Sequence, residues 1–292
     1  MARRQLLLPS EIVKKSNDLI RGRVQIENID GARILAALIA RLPANTTEFK
    51  GSYEVQVGEL PGLTNKGGSG YTQIHAACEA LGKAFVKIEL RNQKKPDGDP
   101  RLEIYPFFSQ IIYKSGTIQA KFNPCMGQFL LDLRSYFTQY SLIEYIVLPS
   151  IYSQRVYEIL KSWSSKQEIT IDLQELFDIL DVPESMKRYP DFRRKVLEKA
   201  HKDISKTTFE YEWEPVKQGR TVVAIRFIFD RKAIEEAERQ KKNKDVPKRN
   251  KQFKLALACS QAKKAAGGCK RRDNQKEVCD ICSQLNMMEV TE

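Results

Sequence analysis

Apolar residues return at three- and four-residue steps from Tyr189 to Ile204, and this spacing predicts one amphipathic α-helix. Its apolar side is formed by Phe192, Val196, Leu197, Ala200 and Ile204. The next segment, TTFEYEWE, alternates aromatic and acidic residues, which predicts a strand. A turn at VKQGR and the apolar segment TVVAIRFIF complete a two-stranded ribbon, or wing. A helix followed directly by such a wing is typical of a winged-helix unit.

The same order of elements occurs earlier in the chain. The segment SGYTQIHAACEALGKAF predicts a helix whose apolar positions are Tyr71, Ile74, Ala77, Cys78, Leu81 and Phe85. The strands FVKIEL and RLEIYPFF follow, and the loop between them, RNQKKPDGDP, contains the turn signal Pro-Asp-Gly. Because the two copies share the order of elements but not their residues, we interpret them as a repeat of pattern.

The remaining segments supply the other elements of each unit. The first unit is predicted to contain a helix over Asp30–Leu42, a strand at YEVQV and a hairpin that turns at Ser115-Gly116. A further helix is predicted to begin at Asn123-Pro124 and to continue through CMGQFLLDLRSYF. The second unit is predicted to open with the helix SIYSQRVYEILKSW, the strand EITI and the helix DLQELFDIL, capped by Asp172.

These elements predict an α+β fold with two tandem winged-helix domains. We expect an N-terminal arm over 1–26, a first winged helix over 27–134 and a second over 135–232. Residues 233–292 lack apolar periodicity, and we expect them to form a basic, flexible tail.

The charge of the chain favours a polyanionic partner. The 292 residues carry a formal net charge of +12, and residues 231–292 account for +7 of it. Together with two winged-helix patterns, this excess indicates nucleic acid rather than solubility alone. No run of eighteen apolar residues is present, and the N-terminal apolar stretch is too short for a signal peptide. We therefore expect no membrane association, a cytoplasmic location and reduced cysteines.

The basic side of the second unit's helix is the predicted base reader, because the major groove admits one α-helix. It carries Arg194, Lys195, Lys199 and Lys202, whereas helical phase turns Arg193 towards the apolar side. The flanking residues that we assign to DNA are Lys187, Arg188, Lys217 and Arg220. In the first unit the assigned residues are Thr72, Gln73 and Lys83 on the helix and Arg91, Lys94 and Lys95 in the wing. We expect this first set to contact phosphates mainly, without choosing sequence.

Catalysis is not indicated. The two histidines, His75 and His201, form no metal-binding pair, and no phosphate-binding loop of the type GxxxxGK[ST] is present. A nicking enzyme would need a histidine metal site, which is absent, so we predict a protein that is not an enzyme. The aromatic alternation of TTFEYEWE could stack single-stranded bases, but packing against its own helices is the preferred interpretation.

Four cysteines in the tail make a metal site a possible alternative. Cys259, Cys269, Cys279 and Cys282 could supply four thiolates to zinc, and the last two have a zinc-finger spacing. The two nine-residue gaps are unusual for such a site, and we favour unpaired thiols and no cofactor. Cys78 lies on the predicted core side of the first helix and is expected to be a small hydrophobic residue.

The second unit resembles one known family at several points in order. YSQRVYEILKSW, EITIDLQELFDILDV, YPDFRRKVLEKAHKDI and GRTVVAIRFIF are similar to the second winged helix of the iteron-type plasmid replication initiators. IVKKSNDLIRGR and YTQIHAACEALGKAFVKI are similar to that family's first domain. The resemblance runs from about residue 11 to about residue 230, and the cysteine tail is outside it.

The resemblance implies a function that the residues alone do not give. Such proteins bind direct repeats (iterons) at a plasmid origin as monomers and an inverted repeat at their own promoter as dimers, in the cytoplasm of a bacterial host. They help to open the origin and recruit the host initiator and the replicative helicase. Their dimer contacts come largely from the first winged helix. A transcriptional repressor with two winged helices and no initiator role is the alternative.

Overall fold

The chain alternates short helices with antiparallel strands in the computed structural model, which describes residues 11–43, 46–60, 70–90 and 101–230. The helices are α1 (Asn17–Arg21), α2 (Ile29–Ala40), α3 (Gly70–Gly82), α4 (Gly127–Leu130), α5 (Leu142–Ile146), α6 (Ile151–Lys161), α7 (Leu173–Ile179), α8 (Tyr189–Phe192) and α9 (Glu198–Ile204). The strands are β1 (Ile12–Ser16), β2 (Arg23–Gln25), β3 (Tyr53–Gln56), β4 (Phe85–Leu90), β5 (Arg101–Pro106), β6 (Phe108–Lys114), β7 (Thr117–Phe122), β8 (Phe137–Ser141), β9 (Glu168–Asp172), β10 (Glu212–Gln218) and β11 (Thr221–Ile228).

The described strands form four small antiparallel sheets. β1 pairs with β8, and the other three sheets have the orders β2-β4-β5, β3-β7-β6 and β9-β11-β10. Two of these sheets contain the predicted wings, β4-β5 after α3 and β10-β11 after α9. The helix–wing order is therefore present twice, which confirms the predicted α+β fold with two winged-helix units.

Periodic segments fold as their patterns predict. The apolar positions Ile34, Leu35, Leu38 and Ile39 of α2 are buried. The Asp172 side chain accepts hydrogen bonds from the backbone N–H groups of Gln174 and Glu175, which caps α7 at its predicted start. The hairpin of β6 and β7 turns at Ser115-Gly116, where both residues have positive φ.

Residues 11–26, within the segment predicted as an N-terminal arm, pack into the body of the protein. Val13, Leu19 and Ile20 are buried in the core, β1 pairs with β8, and β2 pairs with β4. The wider boundaries 27–134 and 135–232 stay predictions.

The helix predicted from Asn123 through LLDLRSYF is much shorter than expected. Its regular part ends at Leu130, and the chain then enters β8. Asp132 and Tyr136 take positive φ angles, which an α-helix does not allow, so the chain turns here. The apolar residues of this stretch belong to a turn and a strand, which helical spacing alone does not reveal.

A buried charge cluster joins the N-terminal strand to α6. Lys15 donates to the Glu158 carboxylate at 2.6 Å, Arg155 donates to the same carboxylate at 2.9 Å, and the Tyr140 hydroxyl also donates to it. Arg155 further donates to the backbone carbonyls of Ile20 and Gly22 at 3.0 Å. The cluster therefore ties β1, α1 and β8 to the helix α6, which also packs against α9.

The surroundings of the cluster lower the pKa values of both Glu158 and Lys15. Burial by itself raises the pKa of Glu158, but the charges of Lys15 and Arg155 and the hydrogen bonds from Lys15 and Tyr140 outweigh burial, so the net pKa lies below its usual value. Burial lowers the pKa of Lys15. A paired carboxylate here satisfies two buried cations, and removal of that carboxylate would leave both cations uncompensated.

Candidate nucleic-acid interface

The helix from Tyr189 to Ile204, hereafter the basic helix, is anchored by one continuous apolar side. The five residues predicted for that side are all buried: Phe192, Val196, Leu197, Ala200 and Ile204. Phe192 meets Phe177 of α7 edge-on, with ring centroids 4.9 Å apart. Asp203, near the end of the helix, accepts a hydrogen bond from Ser153 of α6 at 2.7 Å. The basic helix is therefore fixed on α6 and α7 with its other side outward.

The basic helix is not α-helical throughout. It consists of α8, a π-helical turn over Arg193–Leu197, and α9. Across this turn the backbone N–H of Glu198 donates to the carbonyl of Arg193, five residues earlier. A π turn holds one more residue than an α turn and so changes the phase of the residues around it. The sequence pattern does not predict this π turn. The π turn accounts for the exposed position of Arg193.

The outward side of the basic helix carries the predicted cations. Arg193, Arg194, Lys195, Lys199 and Lys202 are all exposed. Two acidic residues of the same helix hold the arginines: Arg193 Nε donates to Glu198 at 2.7 Å, and Arg194 donates to Asp191 at 3.2 Å. The other three cations of this surface are lysines, whose side chains carry a point charge on a long flexible stem.

The second wing ends in a cationic turn. Lys217 and Arg220 are exposed at the tip between β10 and β11, where Gly219 has a φ of +61°. Before the basic helix, Lys187 is half-buried and donates to Glu184 at 2.5 Å, and Arg188 is exposed at the helix N-cap. The structure thus places cations on the helix, at the wing tip and in the turn that precedes the helix.

The base of the second wing differs from its predicted alternation. The strand begins at Glu212 rather than at Thr207, and Glu212 is buried beside Phe209 and Tyr211 instead of facing solvent. Its carboxylate lies 3.4 Å from His201 Nε2, and the His201 ring meets the Tyr211 ring edge-on. Phe209 and Tyr211 are core residues, so the packing interpretation of this aromatic segment holds.

The corresponding helix of the first unit, α3, presents a different surface. Ile74, Ala77 and Leu81 are buried as predicted, and Thr72 is exposed on the helix. Lys83, predicted on the helix, is exposed in the turn one residue after α3 ends. The Gln73 amide, assigned to DNA from the sequence, instead donates to the Asp30 carboxylate of α2.

Tyr71 was predicted for the apolar side of α3 but is 64% exposed. Its ring lies against His75, with centroids 4.1 Å apart, and beside Tyr113 of β6 at 6.1 Å. Tyr71 occupies the first turn of the helix, where the core no longer covers this side. The outward surface of α3 is therefore aromatic and weakly charged.

Part of the predicted site falls on residues that the structure does not describe. Arg91, Lys94 and Lys95 of the first wing lie outside the described residues, and so do Cys259, Cys269, Cys279 and Cys282. Within the described ranges, no group of three or more histidine, cysteine or acidic residues could hold a metal ion. Cys78 is half-buried against the core, and burial raises the pKa of its thiol, which disfavours the reactive thiolate.

The length and hydropathy of the described helices bear on membrane insertion. Over the part of the chain that the structure describes, none of them is long and apolar enough to cross a bilayer.

Comparison with known families decides what these two units are. The family described as "Initiator Replication protein, WH1" matches residues 12–161, and "Initiator Rep protein, WH2" matches residues 172–229. The chain belongs to this initiator family. It is therefore a DNA-binding replication initiator made of two winged-helix domains, which confirms the resemblance seen in the sequence.

One solved structure shows the same fold. The initiator is similar to the Pi initiator protein, which was crystallised in complex with iteron DNA, with a TM-score of 0.60 and 20% sequence identity. That match covers 77% of this chain and 99% of the Pi chain. Domains 2–3 of RctB are a looser match, with a TM-score of 0.39 and 12% identity over 80% of this chain and 98% of the other.

Proposed function

We propose that this initiator binds the direct repeats of a plasmid origin, its iterons, and starts replication there. One observation carries the proposal: the basic helix is fixed by a buried apolar side and presents five exposed cations, and the wing that follows it ends in a cationic tip. A helix of this kind fits the major groove, and the wing can follow the adjacent phosphates. The Pi initiator, which shares the fold, was crystallised with iteron DNA, and this supports the choice of ligand.

Within this proposal the two units have different roles. The second unit chooses the sequence, because it holds arginines and lysines on a fixed helix. The first unit contacts the backbone of the duplex through Thr72, Lys83 and the basic loop of its wing. Phosphate contacts of that kind set register and orientation and carry no sequence information by themselves.

We further propose that the initiator exists as a homodimer in equilibrium with a monomer, and that the dimer represses its own gene at an inverted repeat. The first unit is suited to self-association because β6 lies at the edge of its sheet among the described strands. Ile112 on that strand is 41% exposed, and the exposed Tyr71 lies beside Tyr113 of the same strand. Exposed apolar groups at a sheet edge favour pairing with another chain.

The remaining steps of initiation are assigned to partners. We propose that the bound initiator helps to open the origin and recruits the host initiator protein and the replicative helicase in the bacterial cytoplasm. The initiator itself is proposed to have no catalytic role and no cofactor. A nicking assay on supercoiled plasmid, with linear and relaxed products quantified, tests this: nicking without added nuclease would contradict it.

Footprinting on the DNA that flanks the gene tests the proposed function. We expect protection of several direct repeats in one orientation, with one repeat per initiator. Protection of a single inverted repeat at the promoter, with no direct repeats nearby, would favour the alternative, a repressor with two winged helices. No protected region at all would contradict both.

A further inference from the structure

Arg193 and Glu198 are paired twice across the π turn of the basic helix. Their backbones are joined by the hydrogen bond from the Glu198 N–H to the Arg193 carbonyl. Their side chains are joined as well, with Arg193 Nε 2.7 Å from the Glu198 carboxylate. The two side chains are 55% and 43% exposed, so the pair lies on the outward side of the helix.

The π turn is what brings this pair together. Successive residues of an α-helix are about 100° apart, so residues five apart differ by roughly 140°, and side chains meet at three- and four-residue spacings instead. The same α-helical phase would turn Arg193 towards Val196 and Ala200 on the apolar side. With one extra residue in the turn, Arg193 faces outward and Glu198 comes within hydrogen-bond reach.

The contact with Glu198 uses only the Nε atom of Arg193, so the two terminal nitrogens of the guanidinium can contact another group. The carboxylate engages Nε, and the two terminal nitrogens of Arg193 make no hydrogen bond within the described residues. A guanidinium offers its two terminal N–H groups as a fork that matches O6 and N7 of guanine in the major groove. Holding the side chain at Nε reduces the rotamer freedom that this contact would otherwise remove.

We propose that Glu198 is a positioning residue that presents Arg193 to a guanine edge, and that the π turn serves to create this pair. This inference rests on the proposed function, and it assigns an acidic residue, Glu198, a part in sequence recognition. An unrelated surface ion pair predicts the reverse outcome, because a carboxylate beside phosphates repels them and its removal strengthens binding to any sequence.

Selection from a random duplex library tests the proposal. The wild-type protein first defines its preferred sequence, and binding to that sequence and to each single-base change is then measured for the full chain. Glu198→Ala is expected to bind the preferred sequence about tenfold more weakly and to lose preference at one guanine position only. Glu198→Gln keeps an acceptor oxygen and should retain an intermediate preference at that position.

Three controls separate positioning from other roles. In an Arg193→Lys background, which lacks the fork, Glu198→Ala should have no further effect on preference. Glu210→Ala removes an exposed carboxylate beyond the helix and reports the effect of charge alone. Circular dichroism and the midpoint of thermal unfolding report whether the helix is intact. A merely structural role would weaken binding to every sequence alike.

The outcomes are distinct. Loss of preference at one guanine, absent in the Arg193→Lys background, supports the proposal. Equal strengthening or equal weakening of all sequences by Glu198→Ala overturns it and leaves the proposed function intact. A wild-type protein that enriches no sequence overturns the proposed function, and this inference with it.

Discussion

The basic helix and α3 occupy the same place in two copies of one fold, yet their outward surfaces differ. The basic helix exposes Arg193, Arg194 and three lysines. In α3 and the residue that follows it, the corresponding surface offers Thr72, Lys83 and the exposed ring of Tyr71, and Gln73 is held by Asp30. Winged-helix architecture therefore does not determine which helix reads bases. We expect the side chains on the outward surface to determine it, since fold alone does not specify function.

The two helices also differ in backbone conformation and in the ion pairs that they form. Both helices bury an apolar side, but only the basic helix contains a π turn and two arginines held by carboxylates. The same order of elements therefore occurs twice with different outward surfaces, and we propose that the second unit chooses the sequence while the first contacts the DNA backbone.

The largest expected effect concerns the cluster that joins the N-terminal strand to α6. Glu158→Ala leaves Lys15 and Arg155 buried without their carboxylate and should lower the free energy of unfolding by about 3–5 kcal/mol. Glu214→Ala, which breaks an exposed pair with Arg226, is the matched control and should cost at most about 1 kcal/mol. Urea unfolding monitored by tryptophan fluorescence measures both. If both variants lost the same free energy of unfolding, the cluster would not be what holds the N-terminal strand on α6.

The same cluster predicts a pH dependence. The folded pKa of Glu158 lies below its usual value of 4.5, so its stabilising contribution is complete above pH 4.5 and is lost as the pH falls through the lower folded pKa. The wild-type protein should therefore lose stability in that acid window more steeply than the Glu158→Ala variant. Unfolding free energies measured in a pH series compare the two slopes, and parallel slopes would exclude Glu158 as their source.

Direct substitution of the two outward surfaces tests the comparison next. Arg194→Ala and Lys195→Ala should each cost about 1–3 kcal/mol of binding free energy and relax preference at individual bases. Thr72→Ala with Lys83→Ala in α3 should weaken binding less and equally for all sequences. Fluorescence anisotropy on the preferred duplex and its single-base variants distinguishes the two. The comparison fails if the α3 variant changes base preference.

The wings are expected to differ in number of phosphate contacts rather than in kind. Neutralising Arg91, Lys94 and Lys95 of the first wing should lower the slope of log affinity against log salt by about one unit per lost contact. Neutralising Lys217 and Arg220 of the second wing should lower the slope in the same way. Neither set should alter base preference. Binding measured over a salt series gives the slopes, and an unchanged slope would place that wing away from the DNA.

The smallest expected effect belongs to the basic tail. Residues 233–292 carry 14 Lys and Arg against 9 Asp and Glu, and this positive excess raises non-specific affinity and encounter rate more than discrimination. Deletion of residues 240–292 should leave a protein that still prefers its repeats but binds all DNA more weakly. Elemental analysis is the companion measurement: one equivalent of zinc that disappears on replacing Cys279 and Cys282 would contradict the proposal of no cofactor.

The sequence predicted those features that depend on local periodicity. The buried side of the basic helix, the cap at Asp172 and the turn at Ser115-Gly116 follow from spacing and turn chemistry, which act within a few residues. The family resemblance was predictable for the same reason, since the matching segments keep their order and spacing.

Features that depend on distant contacts were not predictable from the pattern. Lys15, Arg155 and Glu158 are charged residues that normally face solvent, and only the fold brings them together in the core. Glu212 is buried, and its carboxylate lies close to His201 of another element. Arg193 was assigned towards the apolar side because an α-helical phase was assumed, and the π turn that moves it has no signature in the spacing of apolar residues.

Methylation protection of guanine N7 tests the central claim most directly, because it reports contacts in the major groove base by base. Footprints of the wild-type protein, the Arg194→Ala/Lys195→Ala variant and the Thr72→Ala/Lys83→Ala variant would be compared on one repeat at saturating protein. If the basic helix is the base reader, the first variant loses protection at specific guanines and the second keeps every protected guanine. Loss of protected guanines in the α3 variant, with none lost in the basic-helix variant, would contradict the account.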